Sequence, residues 1–134
     1  MDIKTFTEKG QVLVTVMHVD GNIDSSTYEA FQSKADELIK GGAQYILVDL
    51  THTPYVSSAG MRALQNIYQQ LRNLHPDSDV SDEEVKKGIR AGTYKSPRLK
   101  ILNPSKETSS TLGMTGFDMY IAIFTDKAEA IASF

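Results

Sequence analysis

The chain has 134 residues, 40% hydrophobic and 23% charged, with 14 basic against 17 acidic side chains and a formal net charge of −3. That length holds one core without covalent staples. The acidic balance argues against non-specific nucleic-acid binding, which needs a cationic surplus to displace counterions, and the absence of cysteine excludes disulfides and thiolate metal sites.

No basic stretch followed by an apolar run opens the sequence, and no apolar stretch has the length of a bilayer. A single cytoplasmic domain over 1–134, without a membrane or nucleic-acid partner, is the expectation. Ile3–Thr7 predicts a short strand, Glu8-Lys9-Gly10 a turn, and Gln11–Val19 a second strand, apolar on both faces and paired with the first as a hairpin. After a loop over Asp20–Asp24, Ser26 with Glu29 three residues on predicts a capping box. Tyr28, Phe31, Ala35, Leu38 and Ile39 then recur at helical spacing up to Gly41-Gly42. That stripe reads as a core face rather than a partner groove, because every helix of an α/β domain needs one.

Tyr45–Leu50 is a nearly continuous apolar run, the pattern of a strand buried on both sides. A loop over Thr51–Val56 leads to a helix starting at Ser57 or Ser58, with Met61, Leu64, Ile67, Tyr68, Leu71 and Leu74 inward and Arg62, Gln65, Gln69 and Arg72 outward. From His75 to Arg98 the pattern gives way to polar and charged residues. This predicts an inserted surface excursion, partly mobile, with a short helix behind Ser81 ending near Gly88 or Gly92. Arg98–Leu102 predicts a strand, Asn103-Pro104-Ser105 a turn, and a short helix follows, stopped by Gly113. Tyr120–Phe124 predicts the last strand, and Asp126 caps a terminal helix with Glu129 at its third position and Ile131 inward. The order implies an α/β fold: a mixed, largely parallel sheet of four to five strands with about four packed helices, opening with a β-hairpin.

Catalytic patterns are scarce. His18, His52 and His75 fall on a strand, a loop and a helix end, without metal-ligand spacing. Asp77-Ser78-Asp79 begins like a calcium loop, but Asp82 stands where glycine is needed and Gly88 where glutamate is needed. Ser58 in its turn has the placement of a hydrolase nucleophile, yet Val56 replaces the glycine of that elbow, and the nearest base in sequence is the loop residue His52. No catalytic residue, metal, cofactor or small-molecule substrate is therefore expected. A serine at a helix start has two plain uses. It can cap the helix, or it can accept a phosphate, which free backbone N–H groups and the helix dipole favour there. Asp24 is the acid best placed to sit near such a phosphate, and spacing alone favours the cap.

The segments Gly21-Asn22-Ile23-Asp24 and Val48-Asp49-Leu50, followed by Tyr55-Val56-Ser57-Ser58-Ala59-Gly60-Met61-Arg62-Ala63-Leu64, resemble the STAS domain of bacterial anti-sigma factor antagonists and their relatives. The likeness extends to Leu99–Ser105 and Gly113–Phe117 and is interrupted by the polar excursion at 75–98. It implies a domain that binds a kinase-type anti-sigma factor when unphosphorylated and is released when that partner phosphorylates a serine. On this pattern the phosphoacceptor falls on Ser58 and the regulatory acid on Asp24, with Asn22, Ser57, Ala59, Gly60 and Met61 completing the partner-binding region. Two positions depart from the family pattern: Ser57 stands for an aspartate and Ala59 for a hydroxyl residue. A STAS scaffold or transport accessory subunit that is never phosphorylated is the alternative implied by the wider family.

Overall fold

Two eight-residue strands, β1 (Asp2–Lys9) and β2 (Leu13–Asp20), form the opening antiparallel hairpin. In the computed structural model, which describes residues 1–75, 81–92 and 94–134, they are followed by α1 (Tyr28–Lys40), β3 (Ile46–His52) and α2 (Ser58–Leu74). Next come α3 (Asp82–Ala91), β4 (Leu99–Leu102), α4 (Lys106–Met114), a 3-10 turn at Phe117–Met119, β5 (Ala122–Phe124) and α5 (Lys127–Ser133). The strands make one five-stranded sheet in the order β1-β2-β3-β4-β5, parallel except for the hairpin. Among the described residues no helix is long and apolar enough to cross a membrane.

Alternation along the strands sends successive side chains to opposite faces. Met17, Val19, Val48, Leu50, Leu99 and Ile101 lie on the face packed with Phe31 and Ala35 of α1 and Leu64, Ile67 and Leu71 of α2. Val14, Val16, Leu47 and Leu102 face the other way, under Ala130 and Ile131 of α5. Lys100 shares that second face and is buried there. Its Nζ donates to the carbonyl and hydroxyl of Ser133, both at 2.9 Å, and lies 4.7 Å from the Phe134 ring centroid. Burial holds its pKa below the usual lysine value.

Several local expectations are corrected. The capping box at Ser26 and Glu29 does not form: α1 starts at Tyr28 with Thr27 as N-cap and no side-chain cap, because Ser26 bonds Asp24 instead. β3 continues through Thr51 and His52, where pairing of Asp20 with His52 extends the ladder past the expected strand end. Leu74 is 58% exposed; the buried stripe of α2 ends at Leu71. Helix α4 runs through Gly113 to Met114 and turns at Gly116, whose φ of 75° suits glycine. Tyr120 closes the 3-10 turn, so β5 starts only at Ala122.

Within the excursion, the Ser81 hydroxyl accepts from the Glu84 N–H at 3.2 Å and caps α3, while Gly92 ends it in the left-handed region. Val85 is buried. At the base, Arg98 Nε donates to the His75 carbonyl at 3.0 Å and ties the two ends together. The acidic run at 77–79, and the mobility expected there, lie outside the described residues.

Candidate functional site

Two segments leave the carboxyl ends of β2 and β3 and pair again beyond the strands. The Gly21 N–H donates to the His52 carbonyl and the Ile23 N–H to the Tyr55 carbonyl, each at 3.0 Å; the Ser57 N–H donates to the Ile23 carbonyl at 2.8 Å. Ile23 and Val56 form a parallel bridge, and both are buried under α2. The Asp24 segment therefore lies against Val56 and Ser57. Here α2 comes so close that a Cβ on Gly60 would stand 2.7 Å from the Ile23 carbonyl oxygen and 2.7 Å from Val56 Cγ1. Only glycine allows that approach.

The two serines of the turn are given different work. Ser57 has extended backbone (φ −79°, ψ 176°), and its Oγ accepts from the Gly60 N–H at 3.3 Å, so it is the N-cap of α2. Ser58 is the first helical residue and is exposed; among the described residues its hydroxyl has no hydrogen-bond partner. Ala59 is half-buried, and Gly60 and Met61 are buried. Helices α1, α4 and α5 each carry a glutamate in the first turn (Glu29, Glu107 and Glu129), whereas α2 has no acid there.

Asp24 is bound within its own turn. Its Oδ1 accepts from the Ser26 N–H at 2.9 Å and the Ser26 hydroxyl at 2.7 Å, with Thr27 Oγ1 at 3.3 Å. These bonds, those from Ser26 foremost, hold its carboxyl below the usual carboxylate range. Thr27 in turn donates to the carbonyl of the exposed Asn22 at 2.7 Å. Tyr55 stands exposed beside this turn, between Pro54 and the bridge residue Val56.

A second polar group was not legible as a unit in the sequence. The β2–β3 register sets His18 opposite Asp49, and His18 Nδ1 lies 3.0 Å from Asp49 Oδ2. Asp49 Oδ1 accepts from the Thr51 N–H at 3.0 Å and the Thr51 hydroxyl at 2.5 Å. Asn103 Nδ2 donates to that hydroxyl at 3.2 Å, and the His52 ring meets His18 edge-on at 5.1 Å. Burial pushes the Asp49 pKa up, but the bonds from Thr51 and His18 outweigh it and the net shift is downward. Alternation places this pair on the face opposite α2. The available signal was a His and an Asp near the ends of two predicted strands. Among the described residues, no hydrogen bond joins the pair to a serine, and no group of three or more His, Asp or Glu could hold a metal ion.

The family model of the STAS domain matches residues 5–75, which include both halves of the paired turn. The chain belongs to the STAS-domain family. Among solved structures, this STAS domain is similar to an anti-sigma factor antagonist from Mycobacterium paratuberculosis, at 17% identity and a TM-score of 0.68 over 98% of this chain and 93% of that one. It is also similar to the anti-sigma factor antagonist SpoIIAA in its unphosphorylated form (13% identity, TM-score 0.62, 96% and 93% of the two chains). The Bacillus cell fate determinant SpoIIAA in the phosphorylated form resembles it comparably (14% identity, TM-score 0.63, 97% and 96%). Identities this low carry the fold and not the partner. No curated protein matches the sequence.

Proposed function

We propose that this STAS domain is a phospho-switchable binding module, an anti-sigma factor antagonist working in the cytoplasm. It docks a kinase-type anti-sigma factor while Ser58 is a free hydroxyl and lets go when Ser58 is phosphorylated. The observation that carries this reading is the division of labour in the turn. Ser57 supplies the cap, so Ser58 is left exposed and, among the described residues, unbonded, at a helix start that has no acid in its first turn. A phosphate there meets unpaired N–H groups and the positive end of the dipole, and it is held without unfolding the helix. A partner surface fitted to a neutral hydroxyl then faces nearly two negative charges and three extra acceptor oxygens.

The rest of the turn divides between contact and support. Asn22, Asp24, Ser58 and Ala59 form the accessible part, whereas Gly60 and Met61 are buried and hold α2 against Ile23 and Val56. Asp24 contributes a fixed negative charge beside the switch, and Ser57 replaces the family's aspartate as a neutral cap. The resemblance to SpoIIAA, solved in both phosphorylation states, supports the same reading. We further read the chain as one domain with an insertion at 75–98, since the family match ends where the excursion begins.

The test is capture from the source cell with wild-type chain and with Ser58→Asp. An anti-sigma protein retained by the wild type and lost by Ser58→Asp is the expected result. Equal retention by both would instead favour a constitutive STAS scaffold.

A further inference from the structure

Strand β1 is an outer strand, and among the described residues nothing pairs with its free side. Which backbone groups face outward follows from β2. The Thr15 N–H donates to the Tyr45 carbonyl, so Thr15 points its backbone toward β3, and Val14 and Val16 point theirs toward β1. Their partners Glu8 and Phe6 are therefore bonded inward. The N–H and C=O groups of Ile3, Thr5, Thr7 and Lys9 are left facing out. Natural edges are usually blunted by proline, a bulge or charged side chains, and this one carries charges of both signs, Asp2, Lys4, Glu8 and Lys9, which disfavour most strands and leave a charge-complementary one. This edge has no proline, its register with β2 is unbroken, and Phe6 is 48% exposed at its centre.

Lys4 and Glu8 stand at equal distances on either side of Phe6. In an antiparallel pair, outward-facing residues must oppose outward-facing residues, which allows only alternate registers. The register centred on Phe6 sets Lys4 opposite Glu8 of a second copy twice, and Phe6 opposite Phe6. Its hydrogen-bonded positions match Thr5 with Thr7 and Ile3 with Lys9. The register centred on Thr5 opposes Asp2 to Glu8 at both ends, a repulsive pairing, and the one centred on Thr7 leaves Ile3 and Lys4 unpaired. On the same face, Lys127 Nζ lies 5.9 Å from the Phe6 ring centroid and 3.5 Å from Glu8 Oε1. That surface pair is worth little by itself, and the Glu8 carboxylate has lone pairs for a second cation.

We infer that β1 is a self-complementary edge through which two copies of this chain join their sheets about a two-fold axis at Phe6. The chain contains no cysteine, so Phe6→Cys puts one thiol per copy at that axis. A non-hydrogen-bonded antiparallel pair brings Cα atoms to about 4.5 Å, within disulfide reach. Mild oxidation should link Phe6→Cys into a dimer and leave Thr5→Cys largely unlinked; the reverse pattern, or no link in either, overturns the pairing. By sedimentation velocity, wild type should dimerise at high micromolar concentration. Lys4→Glu and Glu8→Lys should each weaken self-association by about ten-fold, since each sets like charges opposite one another at both ends. Mixing these two variants should restore the dimer, because the mixed pair regains both opposite-charge contacts; a mixture no tighter than either variant contradicts the register. A wild type that stays monomeric throughout leaves the edge to a strand of another protein and overturns the proposal.

Discussion

In the turn after β2, the Asp24 carboxylate folds back onto Ser26 and Thr27, and in the turn after β3, Ser57 does the local bonding and leaves Ser58 without a bond among the described residues. The two turns are joined at the Ile23–Val56 bridge yet use their polar groups in opposite ways. An acid satisfied by its own turn is a fixed charge in a fixed place. A hydroxyl with nothing to do is one whose chemistry can be changed without dismantling the fold. The joined turns thus carry one negative group fixed by its own turn and one exposed serine at the start of α2.

The largest expected effect comes from breaking the joint itself. Gly60→Ala places a methyl against the Ile23 carbonyl and Val56, and it should cost about 2–3 kcal/mol in urea denaturation while abolishing partner binding. Next, Ser57→Ala removes the cap and should cost about 1 kcal/mol, whereas Ser58→Ala should stay within about 0.5 kcal/mol of wild type. Equal losses for the two serines would erase the contrast between them. Smaller again, Ser58→Asp should raise stability by about 0.3–1 kcal/mol through the dipole even as it lowers partner affinity. Thermal melts and a binding titration should therefore move in opposite directions.

The acid limb of the stability curve reports the fixed charges. Asp24 and Asp49 both have folded pKa values below their ordinary ones. Their stabilisation is therefore present above the usual carboxylate pKa and is lost as pH falls through the lowered value. Asp24→Asn and Asp49→Asn should each flatten that limb, which acid titration of the two variants against wild type checks.

What could be read in advance follows from how local each signal is. The α2 stripe and the apolar run of β3 depend on periodicity alone, and both stand in the structure apart from Leu74 at the helix end. The Ser26 cap was misjudged because two acceptors compete within one turn, and the nearer carboxylate of Asp24 wins. The contact of His18 with Asp49 was invisible because it belongs to the β2–β3 register, a property of neither strand alone. At the site, spacing alone favours a cap for the serine pair and the family resemblance points to Ser58 as the phosphoacceptor; the structure adds that Ser57 is the serine that caps α2, through its backbone angles and its bond to the Gly60 N–H.

The most direct test of the proposed switch at Ser58 is phosphosite mapping. The full chain is incubated with ATP and the anti-sigma kinase that it captures, then digested and sequenced by mass spectrometry. A single phosphate on Ser58, with Ser57 unmodified and the complex dissociated, is the expected result. Phosphate on Ser57, or a captured kinase that leaves Ser58 unmodified, would contradict the assignment of Ser58 as the switch.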